Sequence, residues 1–290
     1  MMDIHSDQLR ALVAVVDHGT FDAAARSLNL TPSAVSQRIK ALEVGVGRVL
    51  VRRVKPVSPT ESGQAVLRLA RQIALLEHDT TAELGGSDAR ARIRMPIAVN
   101  ADSLATWALP ALASIPEDLG VLFTIHSEDE GHSAELLRNG TVMAAITSSK
   151  DPVQGCSVRR LGRMRYAPMA SRAFADTWFP EGATIESLAV APLLDFDDKD
   201  DLQSRYLRRR TRRALDPPRQ FVPSSADFAR AVGFGMGWGM IPVAQGGGLV
   251  EIDPGALVDV PLYWQQWKLQ SPVLSAVTDA VVSAAAKHLR

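Results

Sequence analysis

The stretch TPSAVSQRIKALE, from Thr31 to Glu43, constrains the fold more than any other part of the chain. A threonine at an N-cap and a proline at the first helical position let a helix begin abruptly, because the N–H that proline lacks would have had no intrahelical partner. Along that helix Val35, Ile39 and Leu42 recur at i, i+4 and i+7 as a stripe to be buried. Ser33, Ser36, Gln37 and Lys40 recur at helical spacing on another face that is short, polar and free of acid. Hydroxyls and an amide donate and accept at base edges, glutamine suits adenine, and lysine suits phosphate or guanine. For an isolated helix a merely solvated face is the simpler explanation, so the neighbours decide.

Upstream, Leu9, Leu12, Val13 and Val16 form the apolar stripe of a helix ending near His18-Gly19. Thr20 caps a second helix carrying Phe21, Ala24, Ala25 and Leu28, and Asn29-Leu30 makes the tight turn into the polar-faced helix. Two short helices joined by a few residues make a helix-turn-helix. The residues expected to meet DNA are therefore Thr31, Pro32, Ser33, Ser36, Gln37, Arg38 and Lys40. Beyond them, alternation about Lys55-Pro56 predicts a two-stranded wing, with Arg52, Arg53 and Lys55 set against the phosphate backbone. Thr60-Glu61-Ser62-Gly63 then opens a long helix that runs to Gly85-Gly86, and its Leu69, Ile73 and Leu76 form a seam suited to an identical helix.

Charge first argues against such a reading, because 32 basic residues cancel 32 acidic ones over the 290 residues. The distribution answers the objection. Residues 1–58 hold eight Lys/Arg against five Asp/Glu, so the excess of positive charge sits where phosphate needs it. Apolar content of 46% with 22% charged residues describes a folded chain long enough for a small domain and a larger one. Cys156 is the single cysteine, which excludes a disulfide framework and fits a reducing cytoplasm. No leader pattern and no run of 18 apolar residues is found, so neither export nor a membrane span is expected.

The C-terminal 200 residues alternate between strand and helix signals. Strands are expected at 93–99, 121–127, 142–147, 163–170, 193–196, 220–222 and 239–242, with helices at 103–114, 133–139, 172–178, 201–213 and 226–234 between them. This order predicts parallel strands with crossover helices, arranged as two similar α/β lobes. The segment 262–269 then crosses back, and 273–289 closes the first lobe. Ligands of such sheets sit beyond the carboxyl ends of the strands. Asn100, Asp102 and Ser103 follow one strand, Thr147 and Ser148 another, and Ser224 and Ser225 a third, which supplies donors for an anionic group. Each of these taken singly is also an ordinary helix cap. The Arg208–Arg210 and Arg212-Arg213 run reads as a solvated helix end.

No nucleotide-binding GxxxxGK[ST], no HExxH, no GxSxG and no Cys/His cluster is present, and the glycine-rich GFGMGWG at 233–239 lacks full GxGxxG spacing. An enzyme is therefore not expected, nor a cofactor or metal. A protein that merely packages DNA, with a C-terminal region serving only to oligomerise, is the competing function, and a small-molecule binding test separates the two.

The run FDAAARSLNLTPSAVSQRIKALE, followed by a basic segment and PTESG, resembles the N-terminal domain of LysR-type bacterial transcriptional regulators. A further likeness in NADSLATW, SED, DFDD and LYWQQW is to the lysine- and arginine-responsive ArgP/LysG branch of that family. The resemblance implies a winged helix-turn-helix domain (1–59), a linker helix that pairs antiparallel in a dimer (60–86), and a periplasmic-binding-protein-like effector domain (87–290). The lobes would comprise about 92–163 with 268–290, and about 164–267. The partners implied are an operator duplex, a basic amino acid, a second copy in dimers and tetramers, and RNA polymerase. Acids at strand ends, namely Asp102, Glu128, Asp129, Asp195 and Asp197, would take the ammonium groups, and Trp107 or Phe196 would cover the aliphatic stem. One departure stands out. Relatives usually carry an aromatic residue where this chain has Val49-Leu50-Val51.

Overall fold

Threonines cap three of the four helices of the N-terminal region. The computed structural model describes residues 4–84, 92–127 and 133–290. Helix α1 (Ser6–His18) stops at Gly19, whose φ of 69° is left-handed. The Thr20 hydroxyl accepts from the Ala23 N–H to start α2 (Phe21–Ser27), and Thr31 does the same for Ala34 at the head of α3 (Pro32–Val46). Between them Asn29 takes φ 54°, a conformation asparagine tolerates better than most residues. Leu12, Val15, Ala24, Ala25, Val35, Ile39 and Leu42 are all at most 1% exposed and form one core. Each large aliphatic there contributes roughly 1.5–3 kcal/mol by leaving water.

Strands β1 (Val51–Arg52) and β2 (Ser58–Pro59) pair antiparallel as the wing. The Glu43 carboxylate at the end of α3 accepts from the Leu50 N–H at 2.8 Å and pins the wing to that helix. Leu50 and Val51 are buried in the core of the N-terminal region. Helix α4 (Glu61–Glu83) is capped by Thr60, whose N–H donates to Leu50 O at 2.9 Å. A Cβ at Gly63 would lie 1.9 Å from Leu50 O, so only glycine permits this approach of helix to wing. Val66, Leu67 and Ala70 of α4 pack into the N-terminal core, whereas Leu75 belongs to the core of the C-terminal region. The expected break at Gly85-Gly86 lies outside the described residues, as do Glu128 and Asp129.

In the C-terminal region β3 (Ile93–Val99) leads into α5 (Ala101–Ser103), a π-helical turn (Leu104–Ala108) and α6 (Leu109–Ala113). Next come β4 (Val121–Ser127), α7 (Ser133–Arg138) and β5 (Ala144–Thr147), and β3 pairs parallel with both β4 and β5. Strand β6 (Cys156–Ala170) is 15 residues long. It is followed by α8 (Arg172–Trp178), α9 (Ile185–Val190), β7 (Leu193–Asp195), α10 (Leu202–Arg210), β8 (Arg219–Phe221), α11 (Ser225–Gly233) and β9 (Gly239–Pro242). The chain closes with β10 (Val250–Glu251), β11 (Val258–Trp267) and α12 (Pro272–His288). The main sheet has the order β10-β6-β11-β5-β3-β4 with β9 also on β6, and β7 and β8 form a separate parallel pair.

Two long antiparallel strands therefore join the lobes. β6 and β11 pair from Tyr166↔Val258 to Cys156↔Trp267, with one register shift beside Leu262/Tyr263. Opposite that shift Gly162 has φ 146°, and a Cβ there would meet Leu289 Cβ at 2.7 Å. Sequence alternation places the start of β6 at 163 because Arg159, Arg160 and Gly162 interrupt the apolar pattern; the ladder with β11 carries the strand back to Cys156. The same ladder starts β11 at Val258, before the expected 262. The expected helix over 201–213 stops at Arg210, where Thr211 turns extended. Helix α9 and strand β10 are too short to leave a periodic signal.

Candidate DNA-reading face and effector cleft

The buried stripe on α3 leaves Thr31, Pro32, Ser33, Gln37 and Lys40 exposed on its outer side, with Ser36 half-buried among them. Arg38 points elsewhere, its guanidinium 3.1 Å from the Asp7 carboxylate of α1. On the wing Arg52, Arg53 and Lys55 are exposed, and Arg53 lies over the Phe21 ring at 5.3 Å from its centroid. The cluster thus offers donors and acceptors from α3 flanked by cations from the wing. This pairing suits base edges and phosphates together.

A cavity of about 390 Å³ opens where strands of both lobes end. Its wall includes Asn100 and Asp102 after β3, Ser127 ending β4, Phe196 after β7, Ser225 after β8 and Pro242 ending β9. Of the ligand residues expected from sequence, Asn100, Asp102 and Ser225 line this cavity, as does Phe196. The others do not. Ser103 and Thr147 are fully buried, and Thr147 Oγ1 accepts from the Ser149 N–H. Ser148 is half-buried outside the lining, and the Ser224 hydroxyl donates to Asp227. Trp107, carried inward on the π-helical turn, sits in the core at 1% exposure. Asp195 is 2% exposed and pairs with Arg219 at 2.5 Å, with burial pushing its carboxyl up and the guanidinium pulling it back. Asp197 accepts from the Lys199 and Asp200 N–H groups and shapes its own turn.

Other wall residues left no motif in the sequence: Tyr166, Lys199, Asp200, Asp201, Arg205 and Gln245. The Asp200 carboxylate accepts from the Phe196 and Leu202 N–H groups; burial pushes its carboxyl up, and these bonds partly offset that. Asp201 stands 3.7 Å from Arg205. Asp102 differs from all of these. Its two oxygens accept from the Tyr166 hydroxyl at 2.5 Å and the Ser225 hydroxyl at 2.6 Å, and among the described residues no lysine or arginine pairs with it. Tyr166 could have been suspected only from its place on a strand continuing into the second lobe, and Gln245 from nothing local.

Chemically, the cavity presents a carboxylate fixed by neutral donors beside a buried Asn100 whose Oδ1 has no partner among the described residues. Such a site takes a cation and a hydrogen-bond donor. The cavity size suits one small molecule. Among the described residues no helix is long and apolar enough to cross a membrane.

Residues 6–64 match the model of the bacterial regulatory helix-turn-helix protein, lysR family. Over 286 residues the chain is 48% identical to the HTH-type transcriptional regulator LysG of Mycobacterium tuberculosis, covering 96% of this chain and 92% of that protein. The crystal structure of ArgP from Mycobacterium tuberculosis is 46% identical, covers 99% of each chain and superposes with a TM-score of 0.85. Full-length LysG from Corynebacterium glutamicum with bound effector Arg is 39% identical, with a TM-score of 0.74 over 99% of this chain and 100% of that one. Helix-turn-helix, long α4 and mixed α/β effector domain follow one another here as they do in these proteins. The chain belongs to the LysR family of bacterial transcriptional regulators, in its LysG/ArgP branch.

Proposed function

We propose that the protein controls transcription of genes for the export or metabolism of basic amino acids, with lysine or arginine as the effector held between the lobes. The observation that carries this reading is Asp102: a cavity carboxylate held by two hydroxyls, with no lysine or arginine paired to it among the described residues. Partly buried negative charge of this kind is stabilised by an ammonium or guanidinium group of the ligand. Asn100 and the hydroxyl of Ser225 supply polar contacts beside it, and Phe196 and Phe228 give apolar wall for a methylene stem. Relatives named for lysine export, and one with arginine bound, support the choice of effector.

Ser33, Ser36, Gln37 and Lys40 read the operator in the major groove, with Thr31 and Pro32 at the helix start and Arg52, Arg53 and Lys55 on the backbone. Arg38 serves the head's own packing through Asp7. Leu69 and Leu76, 39% and 40% exposed on α4, with Ile73 between them, form the stripe on which two chains pair. Effector binding shifts the balance between lobe orientations and so the spacing of paired reading heads in a tetramer. Domain limits of 1–59, 60–86 and 87–290 and a cytoplasmic setting belong to the same proposal.

Titration calorimetry of the full chain with L-lysine, L-arginine, and L-leucine as the neutral control tests the reading. Binding of a basic amino acid is the expected result, with a thermal stabilisation of about 2.7 kcal/mol at a hundredfold excess over Kd. Equal silence toward both basic amino acids up to millimolar concentration overturns it and favours the purely DNA-packaging alternative.

A further inference from the structure

Midway along α4 the chain passes from one core to the other, since Ala70 packs in the head and Leu75 in the effector domain. Arg71 lies at this junction and is only 7% exposed. Its guanidinium donates to the carbonyls of Gly140 and Thr141, in the turn that joins α7 to β5, and to the Asp17 carboxylate near the end of α1. One turn earlier, Arg68 donates to the Arg138 carbonyl at the end of α7. These carbonyls close a helix C-terminus, where positive charge is favoured. Gly140, with φ 77°, fits because a Cβ would come within 3.0–3.2 Å of Arg68, so α4 and this turn meet almost backbone to backbone. No other charged group on α4 reaches both regions among the described residues: Glu77 faces Ser6 and Arg10 of the head, and His78 meets Leu119 O of the effector domain.

The turn is also tied to the cleft. β5 leaves it and runs beside β3, whose end carries Asn100 and Asp102. A guanidinium forks in one plane, so contacts on both sides of Arg71 fix the angle between them. We propose that Arg71 couples the two regions within one subunit: it ties α1 of the DNA-reading head to the 139–142 turn of the effector domain, and this tie sets the head's orientation. The inference does not depend on the identity of the effector.

Double electron–electron resonance on the full chain tests it without any ligand. Spin labels at exposed positions, Asp22→Cys on the head and Asp118→Cys on the effector domain in a Cys156→Ser background, are diluted into unlabelled chain so that only distances within one subunit are read. The parent shows one narrow distance. Arg71→Met and Asp17→Ala each at least double the width or move its centre, while circular dichroism stays that of the folded protein. Asp17→Ala removes only the head's half of the tie and decides the matter if Arg71→Met does not fold. An unaltered distribution in Asp17→Ala, or in a folded Arg71→Met, overturns the proposal, because packing of α4 alone would then hold the head.

Discussion

The reading head and the effector cleft are built by opposite means. In the head, every side chain proposed to meet DNA lies within 25 residues, from Thr31 to Lys55, and a single helix stripe holds the proposed reading face outward. The cleft gathers Asn100, Tyr166, Asp200, Ser225 and Gln245, residues that meet only because strands of two lobes end at one place. The head's chemistry therefore survives as a local unit, while that of the cleft depends on long-range pairing. This difference suits a regulator, since the part that reads sequence must stay rigid and the part that senses must change shape.

The largest effect is expected of Ile39→Ala, which empties the centre of the head. A loss of roughly 2–5 kcal/mol is expected. The isolated cleft function should persist, so calorimetry with L-arginine under conditions where the chain stays folded should show unchanged affinity. Lost effector binding there would mean that the two regions are not separable. Next in size, Asp102→Asn keeps an acceptor for one hydroxyl and removes the charge, and should weaken L-lysine or L-arginine by about 1.5–3 kcal/mol in titration. Affinity for duplex DNA without effector should hold.

Gln37→Ala sharpens the contrast from the other side. It should cost about 1–3 kcal/mol on a specific operator and nothing on random duplex, measured by fluorescence anisotropy. Equal losses on both would move Gln37 from base reading to backbone contact. Smallest is Arg52→Ala, which should weaken all duplexes alike and lower the slope of log K against log salt by about one.

How far each region can be read from the amino-acid order follows from the same contrast. Thr20, Thr31, Gly19 and the Val35/Ile39/Leu42 stripe act within a turn or two of themselves, so caps and spacing predicted the head helices closely. The glycine of PTESG gained its reason only from Leu50 O beneath it. In the effector domain β3 and β4 were legible from end to end, because each is a short apolar run between turns. The cavity wall was not. Strand-end logic reached Asn100, Asp102 and Ser225, but it could not tell Asp102 from Asp195 or Asp197, since which carboxylate is neutralised by Arg219 or consumed by its own turn is settled in three dimensions. Trp107 misled for a related reason: a widened helical turn faces it to the core.

The β6–β11 ladder limits what an effector can do mechanically. Because β6 from Cys156 to Tyr166 is bonded to β11 from Val258 to Trp267, neither strand can slide or fold independently of its partner there. The one irregularity of the ladder, at Gly162, is itself fastened, because the neighbouring Arg163 exchanges two backbone bonds with Arg290 and Leu289 packs against the glycine. Sliding one of these strands past the other would break many backbone bonds at once, whereas a small change of twist breaks none.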